Sequence, residues 1–133
     1  MRAIDFLELD DVVEIHHDQI ERYGGSDGIR DARLLESAVA APRATFDGRS
    51  LHVDLFSMAA AYLFHITQNH PFVDGNKRTG AVAALVFLAL NEVEIQASEE
   101  EIEDLVRRVA TGKADTDAIA AFLRSYQQHS GDR

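Results

Sequence analysis

An all-α fold, a compact bundle of about six helices with a small hairpin, is what this sequence predicts. Apolar residues recur at three- and four-residue spacing through most of the chain, and helix-start residues stand ahead of the periodic stretches. The interruptions are short, and only residues 42–53, around Asp47-Gly48, have the chemistry of a loop or small hairpin. At 133 residues the chain fits a single domain, 1–133, large enough to bury a core.

The elements follow in order. Asp10-Asp11 opens a first helix with Val12, Val13, Ile15, Ile20 and Tyr23 as its apolar stripe, and Asp11 with Glu14 reads as a variant capping box. Gly24-Gly25 ends it. Asp31 caps a second helix that runs through Ala41, where Pro42 stops it. A third helix spans about Asp54 to Asn69, with Leu55, Met58, Ala59, Tyr62, Leu63 and Ile66 inward. A fourth begins near Asn76 and runs to Leu90. It is apolar on nearly all faces, which predicts a place at the centre of the fold. After a short extended piece, Val93-Glu94-Ile95, Ser98 and Glu101 form a capping box for a fifth helix through Ala110. A sixth covers Asp117 to Gln127, and the tail from His129 to Arg133 is expected to fray.

Composition narrows the function. The net charge of −10 argues against direct binding to DNA or RNA, which takes a basic surface. The absence of cysteine excludes disulfides and thiolate metal sites. The longest apolar run, Ala81 to Leu90, is half a bilayer span, and the start of the chain has no signal-peptide apolar region. The expectation is a cytoplasmic protein with no membrane association.

Chemistry concentrates in His70-Pro71-Phe72-Val73-Asp74-Gly75-Asn76-Lys77-Arg78. A neutral histidine can accept a proton, and a positioned histidine base contributes about 10²–10⁴-fold in rate. The bland alternative for His70 is a helix cap. Asp74 is the loop's only carboxylate; it suits a nucleotide-borne Mg²⁺ or, alternatively, an N-cap of the next helix. Gly75 lets backbone N–H groups approach an oxyanion, and Asn76, Lys77, Arg78 and Thr79 supply the first helical turn. Two cations at a helix start oppose the helix dipole, which makes sense where a phosphate sits. The histidines His16, His17 and His65 lack zinc-ligand spacing and read as surface or packing residues. The segment Gly24-Gly25-Ser26-Asp27-Gly28 lacks the lysine and strand of a P-loop and reads as a turn.

The nonapeptide resembles the Fic/Doc signature, and specifically its death-on-curing (Doc) toxin branch. Tyr23-Gly-Gly, Gly28-Ile-Arg-Asp31, Leu34-Leu-Glu-Ser-Ala38, Ala59-Ala-Ala-Tyr-Leu63 and Phe87-Leu-Ala-Leu-Asn91 extend the likeness over roughly residues 10–95. The resemblance implies a helical bundle with the signature between two central helices, and transfer from ATP to a protein hydroxyl. It makes His70 the general base and Asp74 the Mg²⁺ ligand. Gly75, Asn76 and Lys77 become the anion-binding turn, and Arg78 a phosphate clamp.

The AMP-transferring members carry glycine where this chain has Lys77, and a second arginine where it has Ala81. Both departures resemble the Doc toxins, which phosphorylate elongation factor Tu on a threonine, so γ-phosphate transfer is the expected reaction. AMP transfer and an inactive binding module are the alternatives. Residues 43–53 match the family's target-aligning flap. Ser98-Glu99-Glu100-Glu101-Ile102 does not fit the built-in inhibitory helix of many Fic proteins, so the expected regulator is a separate antitoxin with a disordered tail.

Overall fold

The computed structural model describes residues 3–128. It contains six α-helices: α1 (Leu9–Tyr23), α2 (Ala32–Ala40), α3 (Leu55–Asn69), α4 (Asn76–Leu90), α5 (Glu99–Ala110) and α6 (Thr116–Ser125). Two strands, β1 (Thr45–Phe46) and β2 (Arg49–Ser50), pair antiparallel as Thr45 with Ser50 and Phe46 with Arg49. Asp47 and Gly48 turn between them with φ of 53° and 78°, the positive values that suit a tight hairpin. No helix among the described residues is long and apolar enough to cross a membrane.

The helix starts follow their capping chemistry. Asp31, Asp54 and Asp115 each accept a hydrogen bond from the backbone N–H three residues on, opening α2, α3 and α6. Ser98 and Glu101 form the reciprocal box at α5. At α1 the sequence reading shifts: Glu8 is the N-cap and its N–H donates to the Asp11 carboxylate, so Asp11 closes the box rather than opening it toward Glu14. Pro42 ends α2 through a 3-10 turn over Ala41–Arg43, one residue earlier than expected.

The centre of the bundle is α3, not α4. Every residue from Met58 to Leu63 is buried, and α3 packs against α2, α4, α5 and α6. Small residues explain this, since Ala59, Ala60 and Ala61 let neighbours close on all sides. On α4, Ala83, Ala84, Phe87 and Leu88 are buried, whereas Val82 and Leu85 are only partly covered and Leu90 is exposed. Gly80 sits where α4 meets α3. A Cβ there would lie 2.9 Å from Thr67 Oγ1 and 3.1 Å from the Leu63 carbonyl. That close approach offsets the ~1 kcal/mol helix penalty of glycine. The chain before α1 is held by Tyr62, whose buried hydroxyl accepts from Leu7 N–H at 2.9 Å and donates to Leu7 O at 3.3 Å. Burial pushes the Tyr62 hydroxyl up to about 12.

The inward face of α1 is Val12, His16, Gln19 and Ile20, while Tyr23 is 64% exposed. The stripe expected from apolar residues alone therefore turns by part of a turn to place His16 inside. Beyond α4, Ile95 bridges to Gln127 and Gln96 N–H donates to Tyr126 O, which closes the C-terminal segment onto the extended piece. The expected fraying tail lies outside the described residues.

Candidate active site

The loop from His70 to Gly75 joins α3 to α4 and is built almost entirely from hydrogen bonds to its own backbone. His70 follows the last residue of α3 with φ 48° and ψ 54°. This left-handed conformation usually falls to glycine at a helix end and costs other residues about 1–3 kcal/mol. Phe72 is the loop's anchor: it is buried, and its ring lies parallel to His16 at 3.8 Å. Asn76, 6% exposed, spans the loop, accepting from Phe72 N–H and donating to Phe72 O, both at 2.9 Å. Its side chain is thereby committed to holding the loop, leaving its backbone N–H as the group it can offer an anion.

Asp74 is exposed at the loop tip. Its carboxylate accepts from Gly75 N–H at 2.9 Å and Ser26 N–H at 3.3 Å. It does not cap α4, whose N-cap is Gly75 in the left-handed region (φ 76°) with no side-chain cap. The first turn of α4, with Asn76, Lys77 and Arg78, therefore presents backbone N–H groups without a side chain over them. Gly25 makes room for the carboxylate: a Cβ there would lie 2.8 Å from Asp74 Oδ2, and its φ of 119° is itself a glycine conformation. The glycine pair thus ends α1 and also shapes the acidic corner of the site.

Lys77 is exposed. Arg78 lies half-buried, donating to Gly24 O at 2.9 Å and facing the Tyr23 ring at 5.7 Å. Both cations border a groove of about 570 Å³ between α1, α4 and α5. Tyr23, Ala81, Val82, Leu85, Ile102 and Val106 give that groove its apolar walls.

A metal here would take few protein ligands. Among the described residues no cluster of three or more His, Asp or Glu could hold an ion alone. One exposed carboxylate beside a bare helix start suits Mg²⁺ carried by nucleotide phosphates, the ion keeping waters and phosphate oxygens as its other ligands.

His70, Asp74 and Gly75 lie on the short loop between α3 and α4, and Asn76, Lys77 and Arg78 on the helix turn it leads into. Two positions support the loop in ways the sequence reading did not assign: His16, read there only as a surface or packing residue, and Arg30. His16, 1% exposed, faces Asp74 O with Nε2 at 2.8 Å and Asp27 with Nδ1 at 3.6 Å. Because a carbonyl only accepts, Nε2 carries the proton. The helical spacing Val12–His16–Gln19–Ile20 would have revealed its inward position. Arg30 lies far from the motif in sequence, yet its guanidinium donates to the carbonyls of His70 and Asn69.

Comparison with known proteins agrees with this geometry. Residues 6–88 match the model of the Fic/DOC family. The chain is 43% identical over 106 residues to a protein of Mycolicibacterium smegmatis named "Toxin Doc", covering 78% of this chain and 82% of that one. It is 34% identical over 118 residues to "Protein kinase doc" of Escherichia phage P1, covering 89% and 92%. With the family's model matching residues 6–88 and both relatives matching most of its length, the chain belongs to the Fic/DOC family, among the Doc toxins.

Proposed function

We propose that this protein is a Doc-type toxin kinase that moves the γ-phosphate of ATP to a serine or threonine hydroxyl of a translation factor, elongation factor Tu being the first candidate. The observation that carries the reading is the uncapped, doubly cationic start of α4, with Asp74 exposed just before it and His70 exposed at the other end of the same short loop. The kinase named among its relatives supports the reaction class.

In this scheme His70 takes the proton from the attacking hydroxyl. That oxygen bonds to the γ-phosphorus as the bond to the β-phosphate oxygen breaks and ADP leaves. Lys77, Arg78 and the first-turn N–H groups hold phosphate oxygens. Asp74 would hold Mg²⁺, which neutralises phosphate charge as the bond breaks. The hairpin β1–β2 presents Phe46, with Leu51 and Val53 just beyond it, as exposed apolar side chains and would align the target segment. The substrates place this work in the cytoplasm.

Incubation with elongation factor Tu and ATP labelled at either the γ or the α position tests the reaction. Label is expected from the γ position only, and none with His70→Ala. Label from the α position makes the enzyme an AMP transferase.

A toxin of this kind works with an antitoxin, and the groove beside Lys77 and Arg78 has the walls to take an amphipathic helix folded from a disordered tail. Leu85→Glu places a charge in that wall. Growth arrest by this variant is expected to persist when the antitoxin is co-produced; full neutralisation would put the antitoxin elsewhere.

A further inference from the structure

The segment Gly28–Asp31 lies along the loop from Pro71 to Val73, joined to it by one isolated β-bridge and flanking hydrogen bonds. Ile29 bridges antiparallel to Phe72, and Val73 N–H donates to Gly28 O at 3.0 Å. Arg30 N–H and Asp31 N–H both donate to Pro71 O, at 2.7 and 3.0 Å. Asp31 is also the N-cap of α2, so this segment is tied at one end to the bundle. On it, Arg30 reaches back to the end of α3. Its Nε donates to His70 O at 2.6 Å and its Nη2 to Asn69 O at 2.9 Å.

From this arrangement we infer that Arg30 is a positioning residue for the base, the group that keeps His70 in its left-handed conformation. The inference rests on the proposed role of His70. Its physical basis has three parts. The final carbonyls of a helix have no partner within the helix, and a planar guanidinium satisfies two of them at fixed separation. A cation at a helix C-terminus also sits at the favourable end of the dipole. Because the two bonds fall on successive carbonyls, they fix the peptide orientation on both sides of the His70 Cα, which sets the direction in which the imidazole leaves the chain. A change of φ and ψ at His70 would send the imidazole off the chain in another direction. Misplacing a reacting group by about 1 Å can cost about 10²-fold in rate. Among the described residues the hydrogen bonds of Arg30 go to Asn69, His70 and Pro71, not to the first turn of α4, so the groups proposed to hold the nucleotide keep their own partners.

The test compares wild type, Arg30→Ala and Arg30→Lys by two readouts. The first is NMR of isotope-labelled histidine, in which the backbone shifts and amide coupling of His70 report positive φ. The second is phosphate transfer. Arg30→Ala is expected to lose the positive-φ signature and about 10²-fold in kcat, with KM for ATP and the thermal midpoint nearly unchanged. Added guanidinium ion is expected to restore part of the lost kcat. Arg30→Lys, which keeps charge without the fork, falls between and serves as the reading if the alanine variant does not fold. Retention of the positive-φ signature in Arg30→Ala, or a kcat within about twofold of wild type, overturns the inference. An inactive wild type would defeat the kinase reading instead, and the His70 backbone signature alone would then decide the role of Arg30.

Discussion

At the scale of single residues the site consists of a few exposed reactive groups on a loop whose other members are occupied in holding it. His16 belongs to the second kind. Its ring is the surface on which Phe72 stacks, and its Nε2–H meets the Asp74 carbonyl behind the carboxylate. Replacing it with alanine leaves that carbonyl unpaired, at about 1–3 kcal/mol, and removes an aromatic stack worth about 0.5–1.5 kcal/mol. His16→Ala is therefore expected to lower unfolding stability by roughly 1.5–4.5 kcal/mol in urea denaturation, as the sum of those two terms. A loss below about 0.5 kcal/mol, the size of an ordinary surface change, would mean the loop is held without it. The nonapeptide was legible in the sequence because its reactive residues are contiguous. The packing role of His16 was open to helical spacing, but its bond to the loop and that of Arg30 were not, because each reaches a backbone carbonyl, and backbone atoms leave no trace in residue identity.

At the scale of elements, capping chemistry was the most readable signal. Asp31, Asp54 and Ser98 open their helices where expected, while the starts of α1 and α6 move by one residue or so. The central helix was misplaced because all-round apolarity in α4 marks contact on several sides, including a groove wall, whereas the run of alanines that lets α3 be enclosed has little hydrophobic contrast. Besides its backbone bonds to the extended piece, the C-terminal segment is held by one side-chain pair. Tyr126 donates its hydroxyl to Glu101, which also accepts from Ser98 N–H. The Ser98 N–H and then the Tyr126 hydroxyl hold the Glu101 carboxyl below its ordinary value of 4.5. The hydrogen bond to Glu101 raises Tyr126 above its ordinary 10.0. Glu101 therefore contributes stability that is present above pH 4.5 and lost as the pH falls through its lowered value. Tyr126 contributes stability that is full below pH 10.0 and lost as the pH rises through its raised value. In thermal melts across pH, Tyr126→Phe is expected to reduce the alkaline loss, leaving the part that belongs to Tyr62, and to weaken the acid one, which the Ser98 bond partly preserves. An unchanged alkaline limb would show that the pair does not close the segment in solution.

At the scale of the whole molecule, six helices and one hairpin carry an exposed histidine, an exposed carboxylate and an uncapped cationic helix start on one loop of an acidic body. A net charge of −10 around a positive corner focuses anion binding there. The apolar groove runs from that same corner, so a partner helix seated in it would reach the cations directly. The fold class and the family were both readable from the chain, since periodicity and a contiguous signature are local properties. The groove was not, because it is made by α1, α4 and α5 meeting across long sequence separations. The central claim, transfer of a phosphate rather than an adenylate, is tested most directly by the intact mass of elongation factor Tu after incubation with this protein, ATP and Mg²⁺. The account predicts a gain of one phosphate group, absent with His70→Ala; a gain of one adenylate group would contradict it.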